Sequence, residues 1–263
     1  MDVRRAVRLH SLVSRGIDMN TTTLSNSWPK SLPVLSEEQE RIRKDFMNHW
    51  LEVLPNRYGL IEKFNHQYPL RTLAAGVRTL EIGAGLGAHL RFENLEIQRE
   101  YVALELQPEL AKIIDASYPA VRVAVADCQE QIDFSDGHFD RILAIHVLEH
   151  LPNLPKALNQ MQRLLSPTGF FSVVIPCEGG LAYRMARNIS ARRIFEKRYK
   201  QSYDWFVACE HINLPDEILS ELRSRFSIIH QAYWPLGIPI VNFNLAIGLT
   251  LTHLTPPKAT SCK

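Results

Sequence analysis

Two runs in this sequence hold residues whose types and spacing could do chemistry. The first is Leu80–Glu81–Ile82–Gly83–Ala84–Gly85–Leu86–Gly87; the second is His146–Val147–Leu148–Glu149–His150. Glycines that end a strand let the backbone turn tightly and approach a ligand closely. Glu81, two residues before the first glycine, suits the ammonium end of an amino-acid ligand, directly or through water. Gly87 follows Gly85 by two residues, which leaves room for a short carboxylate tail where a dinucleotide would need its pyrophosphate. The same loop also satisfies a dinucleotide pattern through Gly83, Gly85 and Ala88. Glu105, about 20 residues beyond the glycines, suits a ribose diol in either reading. Asp127, at the end of another predicted strand, can accept from an exocyclic adenine amine. No Tyr-x-x-x-Lys pair occurs, so a short-chain reductase site is missing.

The histidines stay open between three roles. His146 follows a strand directly, and an imidazole near neutral pKa is a natural general base. Glu149 and His150 come within a turn of it. His211, in Cys209–Glu210–His211–Ile212–Asn213, precedes a helix opened by Pro215 and can fold back over the same place. Positions i, i+3 and i+4 share one face if the segment is helical, so a divalent metal at Glu149 and His150 is a second reading. Packing and capping of the turn is the third.

The elements around these runs alternate. Strands are predicted at 77–82, 101–106, 121–126, 139–145 and 170–175, with helices at 108–117 and 154–165 between them. Ser166–Pro167–Thr168–Gly169 is read as a turn before the fifth strand, and the glycine loop as opening a helix. Such βαβ repetition implies a mainly parallel sheet covered on both faces. Ser36, followed by Glu37, Glu38 and Gln39, caps a helix reaching about Val53. A short helix follows near Tyr58 to Phe64. The run Asn65–His66–Gln67–Tyr68–Pro69 suggests a lid, though His66 could equally be a satisfied loop histidine. Residues 177–214 form a helical insertion, 215–226 a helix, and 227–234 with 242–252 a closing antiparallel hairpin.

With these matches together, the chain resembles the class I S-adenosylmethionine methyltransferases of the group called type 11. The resemblance spans Val77 to Ile175. It rests on the glycine loop, Glu105, Ala126–Asp127, Phe139–Asp140–Arg141–Ile142 leading to the histidine run, and Leu164–Leu165–Ser166–Pro167–Thr168–Gly169–Phe170. It implies an α/β fold, a Rossmann-like seven-stranded sandwich with the last strand antiparallel. Its parts would be a flexible tail (1–35), an N-terminal helical lid (36–76), a methyltransferase domain (77–254) with the insertion (177–214) as substrate cap, and a loose tail (255–263). Carried over by position, Glu81, Gly83, Gly85 and Gly87 would hold the methionine part of S-adenosylmethionine. Glu105 and Leu106 would hold its ribose, Asp127 and Cys128 its adenine, and His146 would lie beside the methyl group. Some relatives place a divalent ion at a similar Glu/His cluster; this chain has His146 where the RNA-methylating ones have glutamate. A weaker resemblance, through Glu210–His211–Ile212–Asn213–Leu214–Pro215 and Asn242–Phe243–Asn244–Leu245, is to methyltransferases of bacterial polysaccharide pathways. The resulting expectation is methyl transfer to a hydroxyl of a sugar or secondary metabolite, with His146, His150 and His211 as candidate bases. A nicotinamide oxidoreductase and a non-catalytic cofactor-binding module are the rivals.

Bulk composition fits one sizeable globular unit: 46% hydrophobic, 22% charged and a net charge of +2 over 263 residues. Cys128, Cys177, Cys209 and Cys262 show no metal-like spacing and read as reduced thiols of a cytoplasmic protein. Positive charge is nonetheless concentrated. Between Leu181 and Lys200 stand Arg184, Arg187, Arg192, Arg193, Lys197, Arg198 and Lys200 against Glu196 alone. Leu181, Met185 and Ile189 recur there at every fourth position, so the helix is amphipathic. The plain reading lays that stripe on the core. The functional readings are an anionic, phosphate-bearing acceptor or peripheral contact with an acidic membrane through 181–200. Nucleic acid is not favoured, because no aromatic platform accompanies the charge. The uncharged run from Gln231 to Pro257 is broken by Pro235, Gly237 and Pro239, so two strands fit it better than a membrane span.

Overall fold

The computed structural model describes residues 27–57 and 59–254. The expected tails at 1–26 and 255–263, with Cys262, lie outside the described residues. Two helices, α1 (Glu37–Arg57) and α2 (Gly59–Gln67), precede the first strand. A seven-stranded sheet follows, built from β1 (Arg78–Ile82), β2 (Glu100–Glu105), β3 (Arg122–Val125), β4 (Phe139–Ile145), β5 (Leu165–Pro176), β6 (Phe226–Trp234) and β7 (Ala246–His253). Helix α3 (Pro108–Ser117) joins β2 to β3, and α4 (Leu154–Leu164) joins β4 to β5. Between β5 and β6 lie α5 (Leu181–Ile189), α6 (Ala191–Tyr199), α7 (Asp204–Glu210) and α8 (Pro215–Arg223).

The strand order is β3-β2-β1-β4-β5-β7-β6. The first five strands are parallel to one another, and β7 runs antiparallel to both β5 and β6. The central strands read as near-continuous apolar runs because both faces are covered. Leu80, Val102, Ile142, Phe171, Val173 and Leu249 are all fully buried. The winding direction reverses between β1 and β4. In open α/β sheets a ligand crevice opens at that place, beyond the carboxyl ends of the strands. The glycine loop leaves β1 and His146 leaves β4, so topology alone brings the two chemical runs of the sequence together.

Several local expectations are corrected. The glycine loop does not open an α-helix; residues 84–99 carry two 3-10 turns, His89–Arg91 and Leu95–Ile97. This segment is tied inward. Arg141 on β4 is completely buried and donates to Glu93 (2.8 Å), which is bonded in turn to His89 (2.7 Å). A buried guanidinium requires such a partner. Strand β5 begins at Leu165, because the presumed turn at 166–169 is a bulge inside the ladder: Phe139 pairs with Leu165, and Arg141 next with Phe170. Gly169 permits it, since a Cβ there would lie 2.9 Å from the Asp140 carbonyl oxygen. The 65–67 run is the end of α2, not a loop, and the last strand starts at Ala246 after a 3-10 turn. The tail expected through residue 35 is anchored at Lys30, whose ammonium donates to the Ile212 carbonyl (2.8 Å) and Glu217 (2.6 Å). Finally, the Leu181–Met185–Ile189 stripe faces outward: those side chains are 47%, 61% and 67% exposed.

Candidate active site

Three glycines of the loop have positive φ: 64° at Gly83, 58° at Gly85 and 74° at Gly87. Such backbone disfavours a side chain. At Gly83 space forbids one too, because a Cβ would sit 2.7 Å from Val147 Cγ2. At Gly85 no atom lies within 4 Å of a Cβ position. The loop is held from behind by Glu105 at the end of β2. Gly85 N donates to Glu105 Oε2 (2.8 Å) and Gln107 N to Oε1 (2.9 Å). Each carboxylate oxygen still has acceptor capacity left. Glu81, buried in β1, accepts from the Tyr101 hydroxyl at 2.7 Å. Burial outweighs that bond and pushes its carboxyl up to about 8.

The remaining cofactor candidates sit at neighbouring strand ends. Asp127, just past β3, accepts from Gln129 N (2.8 Å) and from the Gln129 side-chain amide. Cys128 is buried; burial, helped by the Asp127 charge, pushes its thiol up to about 12. Leu106 is 61% exposed.

A cavity of about 660 Å³ opens at the switch point. Glu81, Gly83 and Gly85 line one part of it; His146, His150 and His211 line another. Gly87, Glu105, Leu106, Asp127 and Cys128 do not line it. Glu105 is nevertheless bonded directly to the lining Gly85. Phe46 of α1, Leu60 and Ile61 of α2 and Tyr183 of α5 contribute apolar wall. His66 lines the cavity as well, stacked between His89 and Phe92 at ring distances of 5.5 and 5.1 Å.

Each of the three histidines carries its own acidic neighbour. His146, in left-handed backbone (φ 54°), places Nδ1 3.1 Å from Glu149 Oε1. Burial alone would lower its pKa, but the Glu149 bond and charge win and raise it. His150 directs Nδ1 at the Glu210 carbonyl (2.5 Å), which must accept, so the ring donates there and Nε2 is left as acceptor in the neutral form. Burial first, then the charge of His211, hold the pKa of His150 below the usual histidine range. His211 directs Nδ1 at Glu178 Oε2 (2.7 Å), and Glu178 is paired with Arg187 of α5. The turn that carries His150 is a short 3-10 segment, not an α-helix. Asn213 fixes it, donating from Nδ2 to the carbonyls of Leu148 and Leu151 (both 2.8 Å).

Among the described residues no group of three or more His, Cys, Asp or Glu side chains is arranged to hold a metal ion. Glu149 commits Oε1 to His146, and its Oε2 is buried without a partner among the described residues. Glu178, Glu210, Arg187 and Asn213 were not singled out in the sequence as partners of the histidines. Nothing in their spacing pairs them: Glu178 lies 33 residues from His211 and Asn213 lies 65 from Leu148. Among the described residues no helix is long and apolar enough to cross a membrane.

Known proteins place this arrangement. Sterol 4-C-methyltransferase of Caenorhabditis elegans is 30% identical over 107 residues, covering 38% of this chain and 31% of that protein. The chloroplastic tocopherol O-methyltransferase of Arabidopsis thaliana is 27% identical over 172 residues, covering 61% and 49%. The chain thus spans a third to a half of the length of these relatives. The TehB-like S-adenosylmethionine-dependent methyltransferase of Corynebacterium glutamicum shares the fold, with a TM-score of 0.53 at 15% identity over 82% of this chain and 100% of that one. A methyltransferase-domain family model matches residues 41–225. The chain belongs to the methyltransferase domain family, in its class I, S-adenosylmethionine-dependent form.

Proposed function

We propose that this chain transfers the methyl group of S-adenosylmethionine to a hydroxyl of a small-molecule acceptor held in the 660 Å³ cavity. The observation that carries this reading is the convergence of the glycine loop and the His211–Glu178 pair on that one cavity. The residues fit the cofactor. Glu81 is a buried carboxyl that accepts from a tyrosine hydroxyl, and an ammonium set against it would favour its ionised form. Gly85 leaves open space where any other residue would put a side chain. Glu105 would take the ribose hydroxyls and Asp127 the adenine amine.

When bound, the sulfonium supplies an electrophilic methyl group with a neutral leaving group. The protein then has to position the acceptor and remove its proton. In this reading His211 takes the proton at Nε2, because Nδ1–H is held by Glu178. Burial opposes the charge of Glu178, but the His211 bond and then the Arg187 charge hold its pKa below the ordinary value. Such a carboxylate-held imidazole is the usual way to fix tautomer and direction in a general base. His146 and His150 flank the same space. The Arg187 Nε is buried without a partner among the described residues and offers a donor to an acceptor oxygen or anionic group.

Calorimetric titration with S-adenosylmethionine, S-adenosylhomocysteine and NAD tests the cofactor. Binding of the two adenosyl ligands, lost in Glu105→Ala, is expected. Binding of NAD alone would return the loop to the nicotinamide reading. With an accepted alcohol or phenol, His211→Asn should lower kcat by about 10²–10⁴ while leaving S-adenosylhomocysteine affinity intact. Tight cofactor binding with no turnover across alcohols, phenols, amines and acidic carbons would favour a binding module.

A further inference from the structure

Helix α5 is exposed on one side and functional on the other. Tyr183, Ala186, Arg187 and Ser190 line the cavity. Leu181, Met185 and Ile189, on the opposite face at helical spacing, project outward. The face is not isolated. The β6–β7 connection, residues 235–243, packs against the start of α5: Leu181 N donates to Asn242 Oδ1 (3.2 Å), and a Cβ on Gly180 would lie 2.7 Å from the Val241 carbonyl oxygen. This connection exposes Leu236 (59%), Ile238, Ile240 and Phe243 and contains no charged residue. Its shape is fixed, because the buried Asn244 donates to the carbonyls of Ile238 (2.7 Å) and Ile240 (2.9 Å) and accepts from Leu236 N (3.0 Å). Seven large apolar side chains thus stand exposed on two adjoining, well-held elements. Singly exposed apolar residues are ordinary; a contiguous group marks a contact surface.

The charge around it selects the occupant. Arg184 follows the stripe along α5, and Arg193, Lys197 and Lys200 lie on and after α6, which packs on α5. Among the described residues these four make no ion pair, whereas Arg187, Arg192 and Arg198 are all paired to acids. An amphipathic helix with apolar residues outward and cations beside them suits an anionic bilayer surface. A second copy of the chain would bring two such cationic rims together, which like charge opposes.

We propose that the outer face of α5 and the 235–243 connection dock this protein on an anionic lipid bilayer. That a membrane-resident acceptor then enters past α5 rests on the methyl-transfer reading; the docking itself does not. Flotation of the full chain with vesicles of phosphatidylcholine, alone or mixed with phosphatidylglycerol, tests it. Binding is expected only with phosphatidylglycerol and should weaken as salt rises. The pair Met185→Glu and Ile238→Glu sits on exposed positions and should reduce vesicle binding by about tenfold or more, with S-adenosylhomocysteine affinity unchanged. Arg184→Gln with Lys197→Gln should weaken the dependence on anionic lipid. The proposal is overturned if the wild-type chain stays off phosphatidylglycerol vesicles, or if the glutamate pair floats as well as wild type. It is also overturned if size exclusion shows a dimer that the glutamate pair dissolves, which would give this face to a second copy. Cofactor titration is a separate readout, so failure to dock is distinguishable from failure of the methyl-transfer reading.

Discussion

At the scale of single residues, the role proposed for Glu81 predicts that ligand binding is coupled to pH. Below about pH 8 burial keeps its carboxyl protonated in the free protein. An ammonium placed against it favours the ionised form, so binding expels a proton. Between pH 6 and 8 the affinity for S-adenosylhomocysteine should therefore rise with pH, by up to about tenfold per unit, and level off above 8. In calorimetry the binding enthalpy should vary with the ionisation enthalpy of the buffer, and Glu81→Gln should remove that variation. Buffer-independent enthalpies in the wild-type protein at pH 6.5 would refute the coupling. The type and position of Glu81 were legible in the sequence because it precedes the glycines by a fixed interval. The tyrosine that bonds to it was not, because Tyr101 meets Glu81 only through the parallel register of β1 and β2. Likewise His211 was legible as a histidine near a helix start, while Glu178 and Arg187, which orient it, come from the loop after β5 and from α5. Sequence spacing reports what one element presents; partners that meet across elements depend on the packing.

At the scale of elements, the strands were the most readable parts. β2 and β4 emerge within a residue of their expected bounds because a doubly covered strand is a short apolar run with polar punctuation. Three features escaped for physical reasons. The segment after the glycine loop is drawn inward by Arg141 and Glu93 into 3-10 turns. The bulge in β5 is a ladder property, with no local signature beyond Gly169. The direction of the α5 stripe depends on what covers it, which periodicity does not state. The glycine loop itself yields a sharp expectation. Gly83→Ala would force a side chain into left-handed backbone and against Val147, which immediately follows His146. Strain of this kind costs about 1–3 kcal/mol. The Tm should fall accordingly, and cofactor affinity should fall with it because the loop must shift. Gly59→Ala, at a position with nothing within 4 Å and ordinary backbone, is the control for strain and should leave the Tm unchanged. An equal fall in Tm for the two substitutions would mean that the left-handed loop backbone is not the source of the loss.

At the scale of the molecule, the chain divides its apolar core. The main cluster lies in and against the sheet, whereas Ile42 and Phe46 of α1 form a second one with Ala191, Phe195, Tyr203 and Phe206 from the insertion and its loop. Phe46 sits in the middle, with edge-on contacts to Phe195 (5.0 Å) and Phe206 (5.1 Å), and it also lines the cavity. Polar ties reinforce the unit. Arg198 of α6 donates to Asp45 of α1 (3.0 Å), and Arg43 of α1 pairs with Glu210 of α7, whose carbonyl accepts from His150. We propose that this cluster behaves as a mechanical unit of its own, linked to the candidate catalytic histidines through Glu210. Phe46→Ala removes about 3–5 kcal/mol of packing from this unit but nothing from the sheet. Amide exchange should accelerate in 37–49 and 191–210 while β1 and β4 keep their protection. S-adenosylhomocysteine should still bind, because Glu81 and Glu105 belong to the sheet and Gly85 to the loop that leaves it, and the acceptor KM should rise as the cap wall loosens. Exchange that accelerates equally in β1 and β4 would show that cap and sheet open as one body. The acceptor pocket could then not be loosened without also weakening the cofactor site.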